Sequence, residues 1–155
     1  MDERFEIERV IDADPELIFG LLASPDGHVA IDSSGMLQYA QGDKVTAVGD
    51  EFVVHMDRES LNDLPMGKYE VRVIITGFEQ DRWIEWTIDG TVQPPLDHRY
   101  GYHLKSGHGG TLVSAYYDWS RVRDDIRGRF PIIPEAGLRA TLGILARTVE
   151  PHPGA

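Results

Sequence analysis

The sequence predicts an α+β fold: a curved antiparallel sheet of six to seven strands wrapped around one long C-terminal helix, with two short helices after the first strand. Three observations carry this expectation. Period-two alternation recurs in short successive segments joined by turns, which pairs neighbours antiparallel. A proline-free stretch, Glu135 to Val149, places Leu138, Leu142, Leu145 and Val149 at helical spacing. One helix is too narrow to cover that many flat strands, so the sheet must curl around it, leaving a space between the two.

The first strand runs from Arg4 to Ile11, with Phe5, Ile7, Arg9 and Ile11 on one side and Glu6, Glu8 and Val10 on the other. Asp14-Pro15 marks a helix start, a capping carboxylate followed by proline at the first helical position. Leu17, Ile18, Leu21 and Leu22 supply its stripe, and Pro25-Asp26-Gly27 stops it. A second short helix is expected over about His28 to Ser33. Met36 to Gln41 reads as a short strand. Asp50 to Arg58 follows, with Phe52, Val54 and Met56 sharing one face. Lys68 to Phe78 carries the strongest strand signal, with Tyr69, Val71, Val73 and Ile75 aligned. Arg82 to Asp89, Arg99 to Ser106 and Thr111 to Trp119 complete the sheet. Pro94-Pro95 lies in a loop, since prolines cannot join a central ladder. Ser106-Gly107-His108-Gly109-Gly110 is a glycine-rich hairpin turn. Arg121 to Pro134 reads as irregular.

The 155 residues fit a single domain over residues 1–150, with 151–155 a frayed tail. A net charge of -11 repels phosphate backbones and anionic lipid, so nucleic acid is not an expected partner. The absence of cysteine removes disulfides, thiol nucleophiles and thiolate metal sites. The charged opening Met-Asp-Glu-Arg-Phe-Glu does not read as a signal peptide, and no segment approaches the eighteen or so apolar residues of a membrane span. A cytoplasmic location is the resulting expectation. No cofactor is called for, and oligomeric state is not legible.

The inward faces of the last strands are rich in aromatics with polar tips. Ile84/Trp86/Ile88, Tyr100/Tyr102/Leu104 and Val113/Ala115/Tyr117/Trp119 each fall on one side of an alternating run. A small dry core favours Leu, Ile and Val, because a buried tyrosine hydroxyl or indole N–H needs a partner. This face therefore points to a cavity wall of Trp86, Tyr100, Tyr102, Tyr117 and Trp119, joined by Val73 and Met56. Leu138, Leu142 and Leu145 form the lid side. The competing reading is a compact core filled by the same rings. Gly137 and Gly143 in the helix cost about 1 kcal/mol each relative to alanine, and either permit close packing or loosen the helix.

The layout and several segments resemble the polyketide cyclase/dehydrase-like branch of the START-like (SRPBCC, helix-grip) superfamily. The matching segments are Ile7-Glu8-Arg9-Val10-Ile11-Asp12-Ala13-Asp14-Pro15 with the Glu16-Leu17-Ile18-Phe19 that follows, Ile31-Asp32-Ser33-Ser34-Gly35, and Phe78 to Trp86. Tyr100-Gly101-Tyr102-His103-Leu104, Gly109-Gly110-Thr111-Leu112-Val113 and Tyr117-Asp118-Trp119 extend the likeness over nearly the whole chain. The resemblance implies the fold and an internal cavity, and places His28, Asp32, Ser33 and Ser34 beside the cavity mouth. Members include lipid-transfer modules, hormone receptors, cyclases and co-chaperones, so it carries no single activity and no catalytic motif.

An Asp near a His can form a general acid–base pair, which makes His28 and Asp32 candidates; local capping and turn bonding is the plainer account. His55, His98, His103 and His108 show no metal-ligand spacing, and His55 and His103 fall on outward faces. Arg121, Arg123, Arg127 and Arg129 either meet an anionic ligand at the rim or neutralise Asp124 and Asp125 within their own loop. Gly107 to Gly110 lacks the lysine and following helix of a phosphate loop. The expected function is binding of a hydrophobic, aromatic or polycyclic small molecule in the cavity. The alternatives are a cyclase or dehydratase using the same space and, last, a protein-interaction module.

Overall fold

The computed structural model describes residues 2–107 and 109–153. His108 in the hairpin turn and the tail residues Gly154 and Ala155 lie outside the described residues. Strand β1 (Arg4–Ile11) leads into α1 (Pro15–Leu22) and α2 (Pro25–Ala30). Six strands follow: β2 (Leu37–Gln41), β3 (Glu51–Asp57), β4 (Lys68–Glu79), β5 (Trp83–Asp89), β6 (Arg99–Gly107) and β7 (Gly110–Asp118). The one-turn helix α3 (Asp124–Arg127) and the long helix α4 (Glu135–Val149) close the chain. All strands pair antiparallel in one seven-stranded sheet, ordered β1-β7-β6-β5-β4-β3-β2. The first strand therefore zips onto the last one, and the sheet curls around α4.

Alternation decides which side chains face the helices. Ile7 and Ile11 of β1, Phe52, Val54 and Met56 of β3, and Val71, Val73 and Ile75 of β4 are buried on the inner side. A register shift between Ile75 and Gly77 inserts one extra residue in β4. That bulge brings Phe78 back to the inner face, where it meets the Phe19 ring edge-on, 5.3 Å between centroids.

Helix α1 begins at Asp14-Pro15 as expected, but through backbone rather than side chain: Asp14 is extended, Pro15 occupies the first turn, and the carboxylate makes no capping hydrogen bond. Pro25 does not simply stop α1. Ser24 accepts a hydrogen bond from the Gly27 amide, so Pro25 becomes the first residue of α2, which spans Pro25–Ala30 instead of the expected His28 to Ser33. Gly27 packs against the Leu21 carbonyl so closely that a Cβ would collide with it. The Arg121–Pro134 segment contains the single turn α3 and is otherwise irregular.

Helix α4 lies against β1, β7 and α1, while α2 lies against β2 and β3. Leu138, Leu142, Leu145 and Ala146 are its buried residues. A Cβ would meet only the Arg9 guanidinium of β1 at Gly143 and Pro134 at Gly137, both at ordinary contact distance, so close packing requires neither glycine. The middle of the inner face, along β4, β5 and β6, receives long aromatic side chains.

Candidate functional site

The inner face of β5, β6 and β7 brings three aromatic residues into register. Trp86 pairs with Tyr100, and Tyr100 pairs with Tyr117. Trp86 stacks beside Tyr100 at 5.8 Å and Tyr102 at 5.9 Å between ring centroids. Tyr100 lies 4.7 Å from Tyr117, which lies 5.7 Å from Trp119. Trp119 follows β7 and meets Phe5 of β1 edge-on at 5.0 Å. The result is a continuous aromatic row from β5 to β1. Tyr102, Tyr117 and Trp119 are buried, whereas Trp86 and Tyr100 are half-buried. Val73 and Met56 are buried in the inner face of β4 and β3, and Leu138, Leu142 and Leu145 are buried beneath α4.

Two histidines join this row, and neither does so as sequence spacing suggested. His28 of α2 is 8% exposed and inserts between Phe52, at 5.0 Å, and Trp86, at 4.6 Å. Its Nε2 lies 2.7 Å from the Leu22 carbonyl oxygen. A carbonyl can only accept, so Nε2 carries the proton and Nδ1 keeps its lone pair. Burial lowers the His28 pKa to about 4, with the Leu22 bond opposing, and the ring is neutral at pH 7. His28 and Asp32 do not form a pair. The Asp32 carboxylate instead accepts from the Ser34 amide and hydroxyl, the Gly35 amide and the Leu37 amide. Asp32 and Ser34 thus organise the turn into β2. Ser33 hydrogen bonds to Gly137 and Thr141, tying that turn to α4.

His98, just before β6, extends the row beyond the residues that alternation predicts. It is 3% exposed, and its Nδ1 lies 2.7 Å from the Tyr117 hydroxyl. Its ring also meets Tyr100 at 5.1 Å and Phe130 at 5.8 Å. Burial lowers its pKa to about 4, with nearby Asp97 opposing. One more step of the β6 alternation, from Tyr102 through Tyr100, reaches His98, so the signal was present one residue beyond the assigned strand.

The tyrosines stay protonated at neutral pH. Burial raises the pKa of Tyr100, Tyr102 and Tyr117 above the ordinary phenol value. Tyr102 makes no side-chain hydrogen bond among the described residues, nor does Nδ1 of His28. Yet no buried side-chain nitrogen or oxygen among them lacks a partner. Both atoms therefore reach space that a water molecule can enter. Among the described residues the buried polar set is His28, His98 and Thr111 alone, so no Asp, Glu, Lys or Arg lies in the interior.

The outer face is built differently. Trp83 Nε1 donates to the Tyr116 hydroxyl at 2.9 Å, which donates to Glu85 at 2.7 Å. Thr76 and Arg99 also donate to Glu85. Burial opposes the ionised Glu85, but the bonds from Tyr116, Thr76 and Arg99 win, and its pKa is lowered. His55 stacks on Tyr39 at 4.1 Å and His103 on Trp83 at 5.9 Å. In the Arg121–Arg129 run, Arg123 pairs with Asp125 and Arg127 with Asp124 and Glu3, which neutralises two of the four cations locally.

No family model matches the chain, and no curated protein matches it. Solved structures do. A protein of Chromobacterium violaceum superposes with a TM-score of 0.67 at 18% identity, covering 98% of this chain and 100% of that one. An AHSA1-like protein from Aeromonas hydrophila gives 0.60 at 19% identity over 93% of this chain and 90% of its own. A polyketide cyclase-like protein from Corynebacterium glutamicum gives 0.62 at 15% identity over 96% and 91%. At these identities the likeness is one of fold. A seven-stranded antiparallel sheet curled around a C-terminal helix, matched end to end by such structures, is the helix-grip fold of the polyketide cyclase-like and AHSA1-like proteins.

Proposed function

We propose that this protein binds a hydrophobic, aromatic or polycyclic small molecule between the inner face of the sheet and α4. The observation that carries this reading is the aromatic row in which Trp86 and Tyr100, at its β5–β6 end, stay half-buried while Tyr102, Tyr117 and Trp119 are sealed. A row serving only as filler would bury its widest rings best. Apolar walls with a few convergent polar atoms are the usual form of a small-ligand site. The wall residues are Trp86, Tyr100, Tyr102, Tyr117 and Trp119, with Val73 and Met56 beside them and Leu138, Leu142 and Leu145 opposite.

Intrinsic fluorescence tests this directly. Lipids, flavonoids and aromatic polyketides titrated into the protein should quench or shift emission for at least one class, and Trp86→Phe should remove most of the response. Silence across the whole panel, with the protein shown to be folded, would overturn the proposal.

A cyclase or dehydratase in the same space is the second reading, favoured by the two histidines that reach the wall. Both hold their pKa near 4, well below the operating pH that suits a general base. Binding without turnover is therefore the better-supported function.

A further inference from the structure

We propose that the molecule taken by this site is uncharged and carries a hydroxyl, which donates to His28 Nδ1, and a carbonyl-type oxygen, which accepts from the Tyr102 hydroxyl. This deepens the binding reading above and rests on it. The assignment comes from which atoms are left over. His28 Nε2 spends its proton on Leu22, so the other ring nitrogen can only accept. Tyr102 is 5% exposed and its hydroxyl makes no side-chain hydrogen bond among the described residues, so it has a proton to give. Both atoms reach space that water can enter, and a ligand atom of opposite role would take the place of water at each.

The two atoms share one platform. His28 meets the Trp86 ring at 4.6 Å and Tyr102 meets it at 5.9 Å, so a flat ligand against Trp86 lies within reach of both. Charge discriminates as well. No Lys, Arg, Asp or Glu is buried among the described residues, so an ionised ligand would shed its water with no counter-ion to receive it. The neutral histidines agree with this, since a cationic ring there would instead have suited a carboxylate.

The test compares β-naphthol, its methyl ether and β-naphthoate by calorimetry at pH 7 on the intact protein. The naphthol should bind about tenfold more tightly than the ether, the fold-change of one hydrogen bond to a buried acceptor, and the naphthoate should bind weakest. His28→Phe should erase the naphthol–ether difference, since a change in packing moves both affinities alike. Tyr102→Phe, which removes one hydroxyl, should weaken a naphthyl ketone relative to the alkyl naphthalene of the same shape. The comparison in the unsubstituted protein needs no variant to fold. Equal affinity for naphthol and ether, or preference for naphthoate, would overturn this inference and leave the binding proposal standing. Failure of every naphthalene probe together with the wider panel would take both down.

Discussion

Tyr116 rests directly on Gly101 of the neighbouring strand, and a Cβ at position 101 would collide with its ring and hydroxyl. The same ring is capped by the Arg4 guanidinium, 4.0 Å from its centroid, and its hydroxyl links Trp83 to Glu85. Gly101→Ala should therefore cost on the order of 1–3 kcal/mol in urea unfolding, since the ring cannot move without breaking both bonds. A change below about 0.5 kcal/mol would show that the cluster can shift freely. Residue identity made some of this readable. Alternation placed Trp86, Tyr100, Tyr102 and Tyr117 on one face, and it placed His55 and His103 on the other. It gave no hint that His28 would enter the wall, because a six-residue helix has no periodicity long enough to show its buried side.

At the scale of elements, α4 and the bulge in β4 do most to shape the inner face. Leu142 is buried at the middle of α4, and Leu142→Ala should lower stability by about 2–5 kcal/mol, read by thermal or denaturant unfolding. A loss under 1 kcal/mol would mean that the site beneath it collapses or is already loose. The bulge between Ile75 and Gly77 keeps both Ile75 and Phe78 inward despite their odd separation. An unbroken period-two pattern would have put Phe78 outside, beside Thr76, so the inner contact between Phe78 and Phe19 was not readable from alternation. Boundaries of the longer elements were readable: β1 and α4 begin and end where alternation and the proline-free leucine spacing put them. The α1–α2 junction was not, because Pro25 serves equally well to end one helix and to begin another.

The whole molecule stores two buried neutral histidines, and this sets its response to acid. In the unfolded chain His28 and His98 titrate near 6.5, whereas burial lowers them to about 4 in the fold. Above pH 6.5 both states are neutral and nothing is lost. As the pH falls from 6.5 toward 4, the unfolded chain binds protons that the folded one refuses, so stability declines, by on the order of 3 kcal/mol per histidine. The partly buried carboxylates Glu85 and Asp118, whose pKa values are lowered, take over only at more acidic pH. Urea midpoints at pH 7, 5.5 and 4.5 should fall progressively, and His98→Gln should flatten part of that slope. A midpoint unchanged down to pH 4.5 would contradict the burial of both rings. No helix among the described residues is long and apolar enough to cross a membrane.

By itself the sequence determined the order of elements, the antiparallel pairing, the inward side of each regular strand and the aromatic character of the inner face. Those follow from local rules: period two in strands, period 3.6 in α4, and the conformational limits of Pro and Gly. Only the tertiary structure decided that β1 closes onto β7, that His28 and His98 join the aromatic row, and that Asp32 serves a turn instead of His28. These depend on contacts between residues far apart in the chain, where burial and the satisfaction of each polar atom are settled jointly. The placing of His28 and Tyr102 beside Trp86 belongs to that second class.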